Sequence, residues 1–354
     1  MMDINYIIIV GVRPQFIKAA SLIDELERNK KFNGRIHLIN TGQHYSSKLS
    51  KDILEEIGLV PDLTIKHKKN ASDLAIIAKS LVEVEQYIKS HLLENTKIIV
   101  FGDANPTLVG GLIALKLRIP LIHIEAGARR SAAEQEHYNS KLVDSLAKLK
   151  LCVTKRAVDE LKKENNGANV ILTGDMSRRW MNDLIDFKGK KRGGVKRVLV
   201  TLHRPDNMRK DIINAVYRVL CEINSEVVWI SHPRVMKLLP TVSETASNIS
   251  IIPPQSYLKV QHRLAWADVL LTDSGGLARE AHYFKIPILM RRDVGGWPEL
   301  AKLGALKNVG VNNEVLHAGF DWAFNLKYPK KQLFSERNGI DEGINAIIKL
   351  SCNF

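Results

Sequence analysis

Cysteine is scarce: only Cys152, Cys221 and Cys352 occur in 354 residues. An odd, widely spaced set makes neither a disulfide framework nor a CxxC metal site, and it points to a reducing, cytoplasmic setting. Aromatic residues amount to 6%, too few to interleave with a basic stripe as nucleic-acid surfaces require. No stretch reaches the roughly 18 unbroken apolar residues of a membrane span. The opening MMDINYIIIVGVRP has a short apolar run and no basic n-region, so it reads as a first buried strand rather than a signal peptide.

What is present is ordinary for a globular chain: 45% hydrophobic and 25% charged residues. The length suggests roughly two domains of about 150 residues. Lys and Arg number 52 against 38 Asp and Glu, a net charge of +14. No amphipathic basic helix for membrane attachment stands out. The excess is either a solvated lysine-rich surface or a basic cleft for a phosphorylated small molecule, and charge alone does not choose between them.

Short β-branched runs recur, each followed by a longer amphipathic stretch. In the first half they are Tyr6–Val10, Arg35–Asn40, Ile98–Phe101, Leu121–Ile124, Leu149–Val153 and Val170–Leu172. In the second half they are Val198–Leu202, Val227–Ser231, Ile249–Ile252, Val269–Thr272, Ile286–Met290 and Asn308–Val311. Continuous apolar runs alternating with helical patterns predict α/β architecture with parallel strands buried on both faces. Two sets of about six strands suit two doubly wound, Rossmann-like domains and overshoot a single eight-unit barrel. The boundary is expected in KGKKRGGVKR, read as a solvated linker. That places an N-terminal domain over 1–187 and a C-terminal domain over 188–337. A final helix over 338–354 is expected to pack back on the first domain.

In open α/β sheets ligands bind beyond the carboxyl ends of the strands, so the residues just after each strand are the candidates. They include Arg13 and Lys18 in GVRPQFIK, Gln43 and His44 in TGQH, and Asp103 in GD. Glu125 and Arg129 follow in EAGAR, His203 and Arg204 in HRP, and His232 in HPR. Taken singly, a strand-end acid is usually an N-cap and a lone histidine usually structural. Two acids, two histidines and several arginines are expected to face one inter-domain cleft, which random strand ends would not achieve. The turn Asp273-Ser274-Gly275-Gly276 offers backbone N–H groups and a helix N-terminus to an anion. Glu280, one turn further on, could accept two ribose hydroxyls. No GKS or GKT follows, and GVRPQF is not GxGxxG. A diphosphate ligand fits, and a nicotinamide cofactor does not.

Taken in order, GVRPQFIKAA, TGQH, GD, IPLIHIEAGAR, TLHRPDN, HPR, TDSGG with its later Glu280, and RDVGGWPE resemble the UDP-N-acetylglucosamine 2-epimerase family over nearly the whole chain. The resemblance implies a GT-B fold, two Rossmann-like domains around a cleft with a final helix crossing back. It implies Asp103, Glu125 and Glu136 as catalytic carboxylates, His203 as the catalytic-site histidine, and His232 as that of the HPR motif. Arg13 and Lys18 would lie near the diphosphate and sugar. Ser274, Gly275, Gly276, Glu280, Arg129 and Arg292 would complete the ligand shell. Gln43, His44 and Arg204 partly match the family's allosteric site. Partners implied are a UDP-linked 2-acetamido sugar, UDP and a second copy in a homodimer, with no nucleic acid, no membrane insertion, no metal and no cofactor.

The family inverts carbon 2 by eliminating UDP to a bound 2-acetamidoglucal and re-adding it after protonation from the other face. Carboxylates take and return the proton, and cations and amides hold the leaving diphosphate. Such a product would supply surface polysaccharide. Three motifs depart from the family pattern. PEExNR is replaced by Gln135-Glu136-His137-Tyr138-Asn139-Ser140, with an extra Arg130 before it. RDxTERPE has become RDVGGWPE, and GDTxxT has become Gly102-Asp103-Ala104-Asn105-Pro106-Thr107. These leave open a UDP-2,3-diacetamido-glucuronate substrate, for which Gln15 after the proline and Arg130 speak. They also leave open a hydrolysing 2-epimerase, a GT-B glycosyltransferase and a non-catalytic nucleotide-sugar binder.

Overall fold

The computed structural model describes residues 4–43, 47–68, 70–91, 95–129, 134–178, 194–239, 246–292, 297–310, 312–334 and 337–352. His44, Arg130, Asp293–Gly296 and the expected boundary at 187/188 lie outside the described residues. The chain divides into two compact units, Met1–Arg179 with Phe334–Phe354, and Trp180–Leu333. Among the described residues no helix is long and apolar enough to cross a membrane.

The first unit alternates strand and helix: β1 (Ile4–Val10), α1 (Arg13–Arg28), β2 (Gly34–Asn40), α2 (Ser47–Glu56), β3 (Leu63–Thr64), α3 (Asp73–His91) and β4 (Thr96–Phe101). It continues with α4 (Asn105–Leu117), β5 (Leu121–Ile124), α5 (Gln135–Leu146), β6 (Leu149–Cys152), α6 (Lys155–Lys163) and β7 (Val170–Leu172). The strands form one sheet in the order β3-β2-β1-β4-β5-β6-β7, parallel throughout. Tyr6 to Val10 are all fully buried. Successive strand residues point to opposite faces, so both faces of β1 are covered by helices, as its unbroken apolar run requires. Each buried isoleucine there contributes roughly 1.5–3 kcal/mol of transfer free energy.

The second unit repeats the scheme with β8 (Lys196–Thr201), α7 (Lys210–Glu222), β9 (Ser225–Ile230), α8 (Pro233–Met236), β10 (Ile249–Ile252), α9 (Tyr257–Trp266) and β11 (Val269–Thr272). Then come α10 (Gly275–Tyr283), β12 (Ile288–Met290), α11 (Pro298–Leu303), β13 (Leu306–Asn308) and α12 (Asn313–Asn325). Its sheet runs β10-β9-β8-β11-β12-β13, again parallel. Both sheets therefore have the doubly wound order read from the apolar runs. Strand order reverses between β1 and β4 in one and between β8 and β11 in the other. Those are the switch points at which such sheets leave a crevice.

Two strands differ from expectation. β3 is only two residues long and has no apolar run to announce it. The last strand is Leu306–Asn308, not Asn308–Val311, because Gly310 turns the chain at φ +50°. The final helix, α13 (Arg337–Lys349), packs on β6 and β7. Its C-terminus is capped by a buried lysine of β4, Lys97, whose Nζ donates to the Ile347 and Ile348 carbonyls at 3.0 Å each. Carbonyls at a helix end need such a donor.

Candidate active site

In the first unit the two turns at the switch point are tied together by one amide. Gln15 Oε1 accepts from Gly11 N at 3.0 Å and Val12 N at 3.4 Å, while Nε2 donates to Phe101 O at 2.9 Å and Thr107 Oγ1 at 3.1 Å. Those bonds use the hydrogen-bonding capacity of the amide, and Gln15 is 2% exposed. Gln15 thus belongs to the scaffold. Gly11 is required by space, since a Cβ there would sit 2.1 Å from Thr41 Oγ1 and 2.6 Å from Pro106 Cγ. The packed turn starts α1 at Arg13, and Lys18 follows on the same helix.

Lys18 reaches across to Glu125, and their ammonium and carboxylate form an ion pair. Glu125 ends β5 with φ +66°, a left-handed conformation that costs a non-glycine residue about 1–3 kcal/mol and tends to persist at functional sites. Gly127, at φ +74°, anchors the turn: a Cβ there would lie 2.3 Å from Ala157 O. A Cβ on Gly102 would be 3.6 Å from Glu125 Oε2, so the Glu125 carboxylate lies over the turn that carries Asp103. Helix α5 serves the same turn, since Asn139 Nδ2 donates to Asp103 O at 3.1 Å. Glu136, three residues earlier, shares that helix face. The structure therefore groups Lys18, Asp103, Glu125 and the α5 face bearing Glu136.

Behind them lies a charged network. His123 meets Asp144 Oδ1 through Nδ1 and Gly102 O through Nε2, both at 2.7 Å. Arg129 Nη1 donates to Asp144 Oδ2 at 2.7 Å and to Ser140 Oγ at 3.1 Å, while Nε and Nη2 donate to Glu164 at 3.1 and 2.5 Å. Each nitrogen of Arg129 is thus engaged inside the unit, which gives it a scaffold role. Burial pushes the Asp144 carboxyl up, but the charges and hydrogen bonds of His123 and Arg129 outweigh that and hold it below the ordinary range. His123 escaped notice in the sequence. The available signal was a polar residue at a fully buried strand position. On the far side, Gln43 follows Gly42, which has φ +66° and no room for a Cβ beside Ile65 O.

In the second unit the turns after β8 and β11 are joined by Asp273. Its Oδ2 accepts from His203 N and Arg204 N at 2.9 Å each and from Asn207 Nδ2 at 3.0 Å. Oδ1 lies at an ion-pair distance of 2.8 Å from His203 Nδ1. Asp273 is fully buried and the His203 side chain is 48% exposed, so the imidazole is fixed at its base and open at its tip. Burial raises the Asp273 carboxyl, but His203 and the backbone N–H donors overcome this and hold it low. His232 caps α8 by accepting from Arg234 N at 3.2 Å. Burial first, then the charges of Arg234 and His203, push its imidazole below the usual range.

Ser274 caps α10, its Oγ accepting from Leu277 N at 3.3 Å. Packing does not demand the glycines that follow. A Cβ on Gly275 would make ordinary 3.8 Å contacts with Arg292 Nη2 and Trp297 Nε1, and one on Gly276 would meet only Ser274 Oγ at 4.0 Å. Their bareness leaves the first-turn N–H groups open to an approaching ligand. Arg292 is set beside them by Nε donating to Asp273 O at 2.7 Å, and Trp297 by Nε1 donating to Gly275 O at 2.7 Å. Glu280 accepts from Gln261 Nε2 at 2.6 Å. This is an anion cradle with a carboxylate one turn away.

The family model described as UDP-N-acetylglucosamine 2-epimerase matches residues 24–338. The chain belongs to this family. It is therefore a UDP-sugar 2-epimerase, an isomerase. The UDP-2,3-diacetamido-2,3-dideoxy-D-glucuronate 2-epimerase of Pseudomonas aeruginosa is 30% identical over 87% of this chain and 89% of its own. The UDP-N-acetylglucosamine 2-epimerase of Methanocaldococcus jannaschii is 29% identical over 92% of this chain and 94% of its own. The crystal structure of Methanocaldococcus jannaschii UDP-GlcNAc 2-epimerase in complex with UDP-GlcNAc and UDP superposes with a TM-score of 0.81 at 26% identity, covering 98% of this chain and 99% of that one. The fold and family read from the ordered motifs agree with these matches.

Proposed function

We propose that this chain inverts carbon 2 of UDP-N-acetylglucosamine or a close UDP-2-acetamido sugar without net hydrolysis. The observation that carries the reading is the placement of Glu125, paired with Lys18, over the Gly102–Asp103 turn at the sheet's switch point. The first unit works on the sugar. One of Asp103, Glu125 and Glu136 takes the proton from carbon 2 as the bond from carbon 1 to the UDP oxygen breaks, leaving a 2-acetamidoglucal. Protonation from the opposite face and return of UDP give the epimer. Arg13 and Lys18 offset charge near the diphosphate. The second unit holds UDP: Ser274, Gly275, Gly276 and Arg292 on the diphosphate, Glu280 on the ribose, with His203 and His232 facing the leaving group.

The test is deuterium incorporation from heavy water. With UDP-N-acetylglucosamine and no acceptor, loss of the carbon 2 proton signal together with a new UDP-sugar supports the reading. Exchange with accumulating free UDP identifies a hydrolase. The Pseudomonas aeruginosa relative, 30% identical, favours a second substrate, UDP-2,3-diacetamido-glucuronate, to be tried in the same experiment. A homodimer belongs to this reading. Leu74 and Val82 on α3, Leu115 on α4, and Tyr138 and Leu142 on α5 are exposed, and these three helices are sequential neighbours in contact. The free thiols of Cys152, Cys221 and Cys352 suit a cytoplasmic enzyme supplying surface polysaccharide.

A further inference from the structure

His123 lies on β5 two residues before Glu125, fully buried. Both ring nitrogens face oxygen, Nε2 the Gly102 carbonyl and Nδ1 the Asp144 carboxylate. A carbonyl can only accept, so Nε2 carries a hydrogen. The Asp144 carboxylate also accepts from Arg129 Nη1 at 2.7 Å and from Gly127 N at 3.2 Å. Surrounded by donors it is ionised and can only accept, so Nδ1 carries a hydrogen too. A neutral ring would set a bare lone pair against one of these oxygens where no water enters, an arrangement that costs the desolvation of both groups.

Charges of both signs surround the ring. Facing the ring are Asp144 from α5 and Arg129 from the turn after β5, with Glu164 and the α5 residue Lys141 beyond Arg129. From β6 come Lys150, whose ammonium donates to Ala168 O at 3.1 Å, and Cys152, whose thiol is pushed up to about 12 chiefly by burial. Asp144 pairs with His123 and Arg129, and Glu164 with Arg129 and Lys141.

We infer that His123 is a buried imidazolium acting as a positioning residue: it clamps the Gly102 carbonyl, and so the turn bearing Asp103, and it sets a positive charge behind the reacting carboxylates. The geometric part stands without substrate, while the effect on turnover rests on the epimerase reading above. Gly102 has φ +65°, which turns its carbonyl out of the β4 ladder and toward the ring. Asp103 is the next residue, and its own carbonyl is held by Asn139. The α5 face carrying Glu136, Asn139, Ser140 and Asp144 therefore holds the turn twice, once directly and once through His123.

Two measurements test this. In nitrogen-15-edited NMR of the substrate-free protein at pH 7.5, His123 should give two ring N–H correlations, assigned by their loss in a His123 variant. A single correlation overturns the charged state. The second measurement separates the two bonds. His123→Asn keeps an amide donor near Asp144 and drops Gly102; His123→Gln reaches Gly102 and drops Asp144. With whichever UDP-sugar the wild type turns over, His123→Asn should lose at least tenfold in kcat with KM within twofold, and His123→Gln should retain kcat within a few-fold. Equal kcat in the two folded variants overturns the clamp. Wild type that is silent on every UDP-sugar refutes the epimerase reading instead, and the NMR result still decides the state of His123.

Discussion

Lys18 on α1 and Glu125 at the end of β5 form an ion pair across 107 residues of sequence, with side chains only 12% and 15% exposed. The pair is sheltered enough to be weakly screened and open enough for a ligand to reach. It joins an α1 cation expected near the sugar to a carboxylate in strained backbone.

Glu125→Gln keeps the shape of the side chain and removes its capacity to take a proton. Carbon 2 exchange should fall by about 10²–10⁴-fold, the usual contribution of a general base. UDP affinity by calorimetry should stay within a few-fold. Equal loss of both in a folded variant would assign Glu125 to binding.

Arg129→Met separates scaffold from ligand shell. Removing a 9% exposed guanidinium leaves buried Asp144 with one charged partner of two, His123, at a cost of about 1–3 kcal/mol. Urea unfolding should show that loss, while the KM of the folded enzyme for UDP-sugar stays within twofold. A raised KM at unchanged stability would restore the contact expected from the sequence.

Gly275→Ala tests whether a ligand approaches the α10 turn. The added methyl makes only 3.8 Å contacts, so the melting temperature should hold or rise slightly. UDP binding should weaken tenfold or more, a loss of about 1.4 kcal/mol. Unchanged affinity would remove the diphosphate from this turn.

Asp144 makes an acid-sensitive contribution. Its folded carboxyl titrates below the ordinary value, which is about 3.9 in the unfolded chain. Stability from this group is therefore complete above about pH 4 and disappears as pH falls through the lower folded value. Asp144→Asn should be less stable at neutral pH, and its stability should fall less steeply than wild type below about pH 4. Parallel acid profiles in calorimetric scans would contradict this.

The sequence determined the layering. Runs such as Tyr6–Val10 and Val198–Val200 are apolar without alternation, which only a strand covered on both faces satisfies, and their number and order imposed two parallel sheets. It also determined which turns carry chemistry, because ligands gather at strand ends in such sheets. What it left undecided is where each polar side chain points. Gln15 spends its amide on Phe101 and Thr107, Arg129 its guanidinium on Asp144 and Glu164, and His123 its ring on Asp144 and Gly102. Apolar burial is written locally, as a period along the chain. A hydrogen bond or ion pair is chosen by partners brought near from distant elements, and only the packed tertiary structure makes that choice.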